Sequence, residues 1–102
     1  MKMEDVGTEL LEKKAAFEKR TAQYLGMGFD RIAAADFVAA SAGGISGPAL
    51  DVGTGRGVTA IALARRVTEV VSIDVDATDR DLAALLAEEA GVRARIRFEL
   101  CD

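Results

Sequence analysis

The chain has 102 residues, half of them apolar, which is enough for one globular domain with a modest core. Its net charge of −4 argues against a dedicated nucleic-acid binder, because phosphates require a basic surface. The single cysteine, Cys101, and the lack of histidine exclude an internal disulfide and argue against a zinc site, while no apolar run could span a bilayer. We therefore expect a cytoplasmic protein without metal, membrane or nucleic-acid partner.

The first 47 residues predict a helical segment. Residues 9–25 are typical of an amphipathic helix, with Thr8 as its cap and Gly26 as its end. Its apolar residues at seven-residue spacing are Leu10, Phe17 and Tyr24. Residues 30–42 predict a second helix that begins after Asp30 and ends at Gly43.

From residue 48 onward the pattern alternates between short apolar strands and helices. The predicted elements are a strand at 49–53, a helix at 57–67, a strand at 69–74, a helix at 78–91 and a strand at 94–102. The second of these helices has Thr78 as its predicted cap, Asp81 as the partner in a capping box and Gly91 as its end. The alternation of the last strand is typical of an edge strand.

This β-α-β-α-β order predicts an α/β fold in which right-handed crossovers place three parallel strands in the order 3-2-1. The result would be a partial Rossmann-like sheet preceded by two helices. We therefore divide the chain into an N-terminal helical segment, residues 1–47, and a Rossmann-like part, residues 48–102.

The turn after the first strand, "ALDVGTGRG", carries glycine at three alternate positions. Gly53 suits the tight turn, Gly55 lets a ligand approach the backbone, and Gly57 allows close packing of the helix that follows. Such spacing alone is also typical of an ordinary tight turn between a strand and a helix.

Three acidic residues strengthen the case for a ligand, because each ends a predicted strand. Asp51 could attract an ammonium group, and Asp74 stands at the offset from Gly55 at which an acid reaches ribose hydroxyls. Asp102 ends the third strand. Ligands of open α/β sheets bind outside the carboxyl ends of the strands, so all three would face one cleft.

The dinucleotide fingerprint G-x-G-x-x-G is not met, because Val58 occupies the position of its third glycine. The pattern D-x-G-x-G-x-G followed by Asp74 instead resembles the class I S-adenosylmethionine-dependent methyltransferases. "LDVGTGRGVTAIALAR" is similar to their first motif, "VVSIDVD" to their second-strand motif and "IRFELCD" to their third strand.

The resemblance implies S-adenosylmethionine as cofactor, S-adenosylhomocysteine as product and a small-molecule or otherwise unidentified methyl acceptor. It implies that Asp74 binds the ribose hydroxyls. It also implies that Asp102, with Cys101 beside it, approaches the adenine amino group and that Val75 packs on the adenine face. The residues that it implies for cofactor binding are Asp51, Gly53, Thr54, Gly55, Gly57, Asp74, Val75, Cys101 and Asp102. It points to no catalytic residue.

The family's sheet has seven strands, and this chain supplies three of them. We therefore expect an N-terminal portion of a methyltransferase that is inactive alone, and that forms a homo-oligomer because the 49–53 strand lacks a neighbour on one side. A nicotinamide-dependent oxidoreductase half-domain and a non-catalytic association module with a vestigial nucleotide loop remain alternatives.

Overall fold

The computed structural model describes residues 3–42 and 47–101. The chain consists of two compact units, Met1–Arg31 and Ile32–Asp102. In the described residues no helix has the length and apolar character needed to cross a lipid bilayer.

The first unit is built on a single long helix, α1, which spans Met3–Gly26. The helix ends at Gly26 as predicted, but it begins well before Thr8, so the prediction of a cap at Thr8 is wrong. After the helix, the Arg31 guanidinium donates to the Phe17 carbonyl (2.9 Å) and lies over the Phe17 ring at 4.2 Å.

The second unit contains the remaining elements, which alternate as the sequence predicts. They are α2 (Arg31–Ser41, whose first residue ends the first unit), β1 (Ala49–Val52), α3 (Val58–Ala64), β2 (Val70–Asp74), α4 (Ala77–Glu89), a 3₁₀ turn (Arg93–Arg95) and β3 (Ile96–Leu100). The predicted end of α2 at Gly43 lies outside the described residues. Helix α3 is shorter than the predicted 57–67, because Arg65 already forms its C-terminal cap.

The sheet is parallel with the order β1-β2-β3, which confirms the predicted order and the edge position of the last strand. Asp51 of β1 pairs with Ser72 of β2, and Ser72 pairs in turn with Phe98 of β3. In a parallel sheet the carboxyl ends of all strands lie at the same side of the sheet. The predicted site residues near the described strand ends therefore lie along that side.

One face of the sheet is covered and the other is not. Val70 and Ile96 are buried in a core that also contains alanines of α2 and α3. On the opposite face, Leu50 and Val52 of β1 are 64% and 72% exposed. The two crossovers run in the same direction along the sheet, so α3 and α4 lie on one side of it.

Helix α4 begins one residue earlier than predicted, and its cap differs. The side chain of Asp76 accepts the Asp79 N–H at 2.9 Å, which makes Asp76 the N-cap. Thr78 is therefore inside the first turn, and the predicted capping box of Thr78 with Asp81 is wrong. The predicted end is confirmed, because the Gly91 N–H bonds to the Glu88 carbonyl beyond the last helical turn.

Candidate functional site

An open cleft of about 290 Å³ lies at the carboxyl ends of β1 and β2. Its lining residues are Val52, Gly53, Ile73, Asp74, Val75 and Cys101. The Cys101 N–H donates to the Asp74 carbonyl at 2.8 Å, which draws the chain after β3 to the same rim. The cleft therefore has apolar walls with one carboxylate, which is the usual composition of a small-molecule pocket.

The glycine loop turns sharply at the end of β1. Gly53, Gly55 and Gly57 have φ values of 82°, 53° and 81°, in the left-handed region that side chains other than glycine rarely adopt. The N–H groups of Gly53 and Thr54 both donate to the Ile73 carbonyl at the end of β2. These two loop N–H groups are therefore occupied by a carbonyl of the same chain. What the glycines offer a ligand is the space that side chains would otherwise fill.

Gly57 has a different role from Gly55. A Cβ atom at Gly57 would lie 2.8 Å from the Cβ atom of Ala83 and 3.1 Å from its Cα atom, whereas a Cβ atom at Gly55 would meet nothing within 4 Å. Gly57 therefore permits close packing of the loop against α4, where the sequence predicts close packing against the strand. Gly55 leaves open space beside the site.

Asp74 connects the loop to β2. One carboxylate oxygen accepts the Gly55 N–H at 2.9 Å and the other accepts the Asp76 N–H at 3.0 Å. The bond from Gly55 has the largest effect on the pKa of Asp74, and the bond from Asp76 adds to it. Together they hold this pKa below its ordinary value. A carboxylate has about four acceptor positions. Asp74 is thus ionised at neutral pH and keeps acceptor positions for the hydroxyls of a ligand.

Asp51 belongs to a buried polar chain behind the loop. The Ser72 hydroxyl donates to one Asp51 carboxylate oxygen at 2.8 Å, and the Thr54 and Ser72 hydroxyl oxygens lie 2.7 Å apart. Ser72 is 0% exposed and Thr54 is 5% exposed. Burial raises the pKa of Asp51, the bond from Ser72 lowers it, and the charge of Asp74 raises it.

The structure brings only part of the predicted site together around the cleft. Gly53, Asp74, Val75 and Cys101 line it. The predicted residues Asp51, Thr54, Gly55 and Gly57 lie in the adjoining strand and loop without lining it, and Asp102 lies outside the described residues.

Three residues of this region were not predicted from the sequence. Val52 and Ile73 line the cleft near the carboxyl ends of β1 and β2, a role that their apolar character alone did not distinguish from core packing. Ser72 carried a usable signal, because it is the one hydroxyl in the otherwise apolar strand sequence "VVSID" before Asp74.

No family model matches the chain, and no curated protein does so either. Solved structures do match. Geranyl diphosphate C-methyltransferase from Streptomyces coelicolor, solved with Mg²⁺, geranyl diphosphate and S-adenosyl-L-homocysteine, has 24% identity and a TM-score of 0.64 over 84% of this chain and 33% of its own.

Two further matches have somewhat higher identity. The YcgJ protein from Bacillus subtilis has 28% identity and a TM-score of 0.59, covering 66% of this chain and 29% of its own. The [4+2]-cyclase SpnF has 29% identity and a TM-score of 0.59, covering 72% of this chain and 28% of its own. This chain thus spans about a third or less of the solved chains it matches.

Proposed function

We propose that this chain, which has the fold of the class I S-adenosylmethionine-dependent methyltransferases, is the cofactor-binding N-terminal portion of such an enzyme. Residues 48–102 form the cofactor-binding part and residues 1–47 the helical segment before it. The observation that carries the proposal is the cleft at the strand ends, where an ionised carboxylate, Asp74, stands beside a loop that lacks side chains at Gly53 and Gly55.

The residues present fit the cofactor's nucleoside end. Asp74 has acceptor positions for the two ribose hydroxyls, and Val52 and Val75 offer apolar contact to a base. Cys101 stands at the same rim, where the adenine would lie. Because the cleft volume is near the lower limit of about 300 Å³ for ligand pockets, it suits the nucleoside rather than the whole cofactor.

The chemistry asks little of the protein's own side chains. When bound, S-adenosylmethionine supplies a methyl group already activated by its sulfonium centre. The protein has to hold the cofactor in a fixed orientation and exclude water around it. We assign the holding of the ribose to Asp74 and of the ammonium group to Asp51, and we assign no catalytic residue.

We propose a small-molecule methyl acceptor, a cytoplasmic location and a homo-oligomer. The acceptor class is supported by the geranyl diphosphate bound to the matched Streptomyces enzyme. The fold alone does not fix the reaction, because a [4+2]-cyclase shares it. Cofactor binding is therefore the function that the site supports best.

The proposal is tested by calorimetric titration of the chain with S-adenosylhomocysteine and, separately, with NAD. We expect the nucleoside product to bind and NAD not to bind. The Asp74→Ala variant is expected to weaken binding by about 1–3 kcal/mol, since the ribose hydroxyls lose a charged partner.

Asp81→Ala is the matched control, because Asp81 is an exposed carboxylate on α4 that pairs with Arg80 away from the cleft. Unchanged affinity in Asp74→Ala would contradict the assignment of the ribose. Transfer of labelled methyl groups by the chain on its own would contradict the view that it needs further elements for turnover.

A further inference from the structure

The buried hydroxyls behind the glycine loop form a directed chain. Ser72 has one hydroxyl hydrogen, and it points to the Asp51 carboxylate at 2.8 Å. The 2.7 Å contact between the hydroxyls of Ser72 and Thr54 must then be donated by Thr54. The hydrogen bonds therefore run from Thr54 through Ser72 to Asp51, and each one adds positive character next to the carboxylate.

Only one oxygen of the Asp51 carboxylate is used by this chain. Within residues 3–42 and 47–101, the other oxygen has no hydrogen-bond partner, and no buried side-chain oxygen or nitrogen there lacks one. The second oxygen is therefore accessible to solvent. Asp51 is thus held at one oxygen and open at the other, as expected for an acid that binds a cation.

Of the described groups around Asp51, Ser72 is the one whose interaction favours the ionised carboxylate. The strand β2 brings Asp74, whose negative charge opposes a second carboxylate. Helix α3 has the sequence VTAIALA and carries no charge, and α2 contributes alanines to this core. The nearest cation of the loop, Arg56, lies 3.6 Å from Asp79 in an ion pair.

A purely structural role explains Ser72 poorly. A buried hydroxyl costs stability unless it is bonded, and alanine at this fully buried position would need no partner. The register sets Ser72 directly across from Asp51, so the strand places its one hydroxyl where the Asp51 carboxylate accepts its hydrogen.

We infer that Ser72, oriented by Thr54, is a positioning residue that holds the Asp51 carboxylate in place and ionised, with its second oxygen available for the ammonium group of the cofactor. This inference rests on the proposed function. It also changes the role of Thr54, whose side chain serves Ser72 and not the cofactor directly.

The test compares Ser72→Ala with the pair Thr54→Val and Thr54→Ser, and uses Ser41→Ala as control. Ser41 is matched in chemistry, since its hydroxyl donates to the Phe37 carbonyl on the exposed side of α2. In each protein, the Asp51 carboxyl group is titrated by carbon NMR without ligand, and S-adenosylhomocysteine affinity is measured over about pH 4 to 8.

In Ser72→Ala we expect the pKa of Asp51 to rise further, because the hydrogen bond that opposes burial is lost. Affinity should be about 10-fold weaker at neutral pH, and its fall on acidification should begin at a higher pH than in the unaltered chain. Thr54→Val should likewise raise the pKa of Asp51 and weaken the binding of S-adenosylhomocysteine. Thr54→Ser and Ser41→Ala should match the unaltered chain in both measurements.

An unchanged Asp51 titration in Ser72→Ala would overturn the inference, as would a loss of affinity that is equal at every pH. If Ser72→Ala fails to fold, identical titrations of Thr54→Val and Thr54→Ser overturn it instead. A chain that shows the Asp51 shift but binds no S-adenosylhomocysteine would overturn the proposed function, and with it the ligand assigned to Asp51.

Discussion

At the scale of single residues, the two carboxylates near the cleft, Asp51 and Asp74, are held in opposite ways. Asp74 accepts hydrogen bonds from backbone N–H groups, and these bonds lower its pKa. The stability that its ionised form contributes is therefore present at neutral pH. That stability is lost as the pH falls through its folded pKa. The pKa of Asp51 is raised, so its ionised form costs stability at neutral pH, and that cost disappears on acidification. An acid retained at a cost is typical of a functional site.

Gly55 and Gly57 of the loop differ in how much stability their replacement by alanine should cost. Gly57→Ala is expected to lower the free energy of unfolding by about 2–5 kcal/mol, because left-handed backbone strain adds to overpacking against Ala83. Gly55→Ala should cost only the strain, about 1–2 kcal/mol, since its Cβ meets open space. Urea unfolding at one fixed chain concentration measures both.

The two glycine variants serve as controls for each other, because they share the backbone strain and differ only in the neighbour. Equal losses of stability in Gly55→Ala and Gly57→Ala would show that contact with α4 does not decide the identity of residue 57.

At the scale of elements, helix α4 illustrates how a cap is chosen. Both Asp76 and Thr78 are residue types that cap helices, so local sequence leaves two starting points for α4. The short turn after β2 decides between them, because the Asp76 N–H is drawn to the Asp74 carboxylate and its side chain then reaches the Asp79 N–H. The same turn thereby links the helix start to the candidate site.

Asp76→Ala is expected to lower the free energy of unfolding by about 0.5–2 kcal/mol through loss of the cap. Thr78→Ala should change it little, because Thr78 lies within the first turn. Thermal unfolding followed by circular dichroism compares the two. A larger loss in Thr78→Ala than in Asp76→Ala would contradict the observed cap and restore the predicted one.

At the scale of the whole molecule, the sheet is unfinished on one side. Strand β1 pairs only with β2 in the described sheet, and its side chains Leu50 and Val52 are largely exposed. A free edge beside apolar side chains is a template for pairing with another strand. A two-fold arrangement can satisfy both copies at once, since each offers the same edge to the other.

We therefore predict that the chain forms a dimer at micromolar concentration, measured by light scattering. Leu50→Lys should shift it toward the monomer, because a charge then lies at the paired edge. Phe37→Lys is the control, since Phe37 is similarly exposed but lies on α2. A monomer whose amide protons in residues 49–53 exchange slowly would show that the edge is covered within one chain, contrary to this prediction.

Sequence patterns were sufficient to predict the class and order of the elements and the positions of the glycine loop and of Asp51 and Asp74. Hydrophobic periodicity and the handedness of crossovers are local or topological rules, and together they fix which residues reach the carboxyl edge of the sheet. The contacts of those residues became visible only in the folded chain: Gly57 packs on Ala83, Asp76 caps α4, and Ser72 holds Asp51. Such contacts depend on the register between strands and on the packing of helices distant in sequence, which no local pattern specifies.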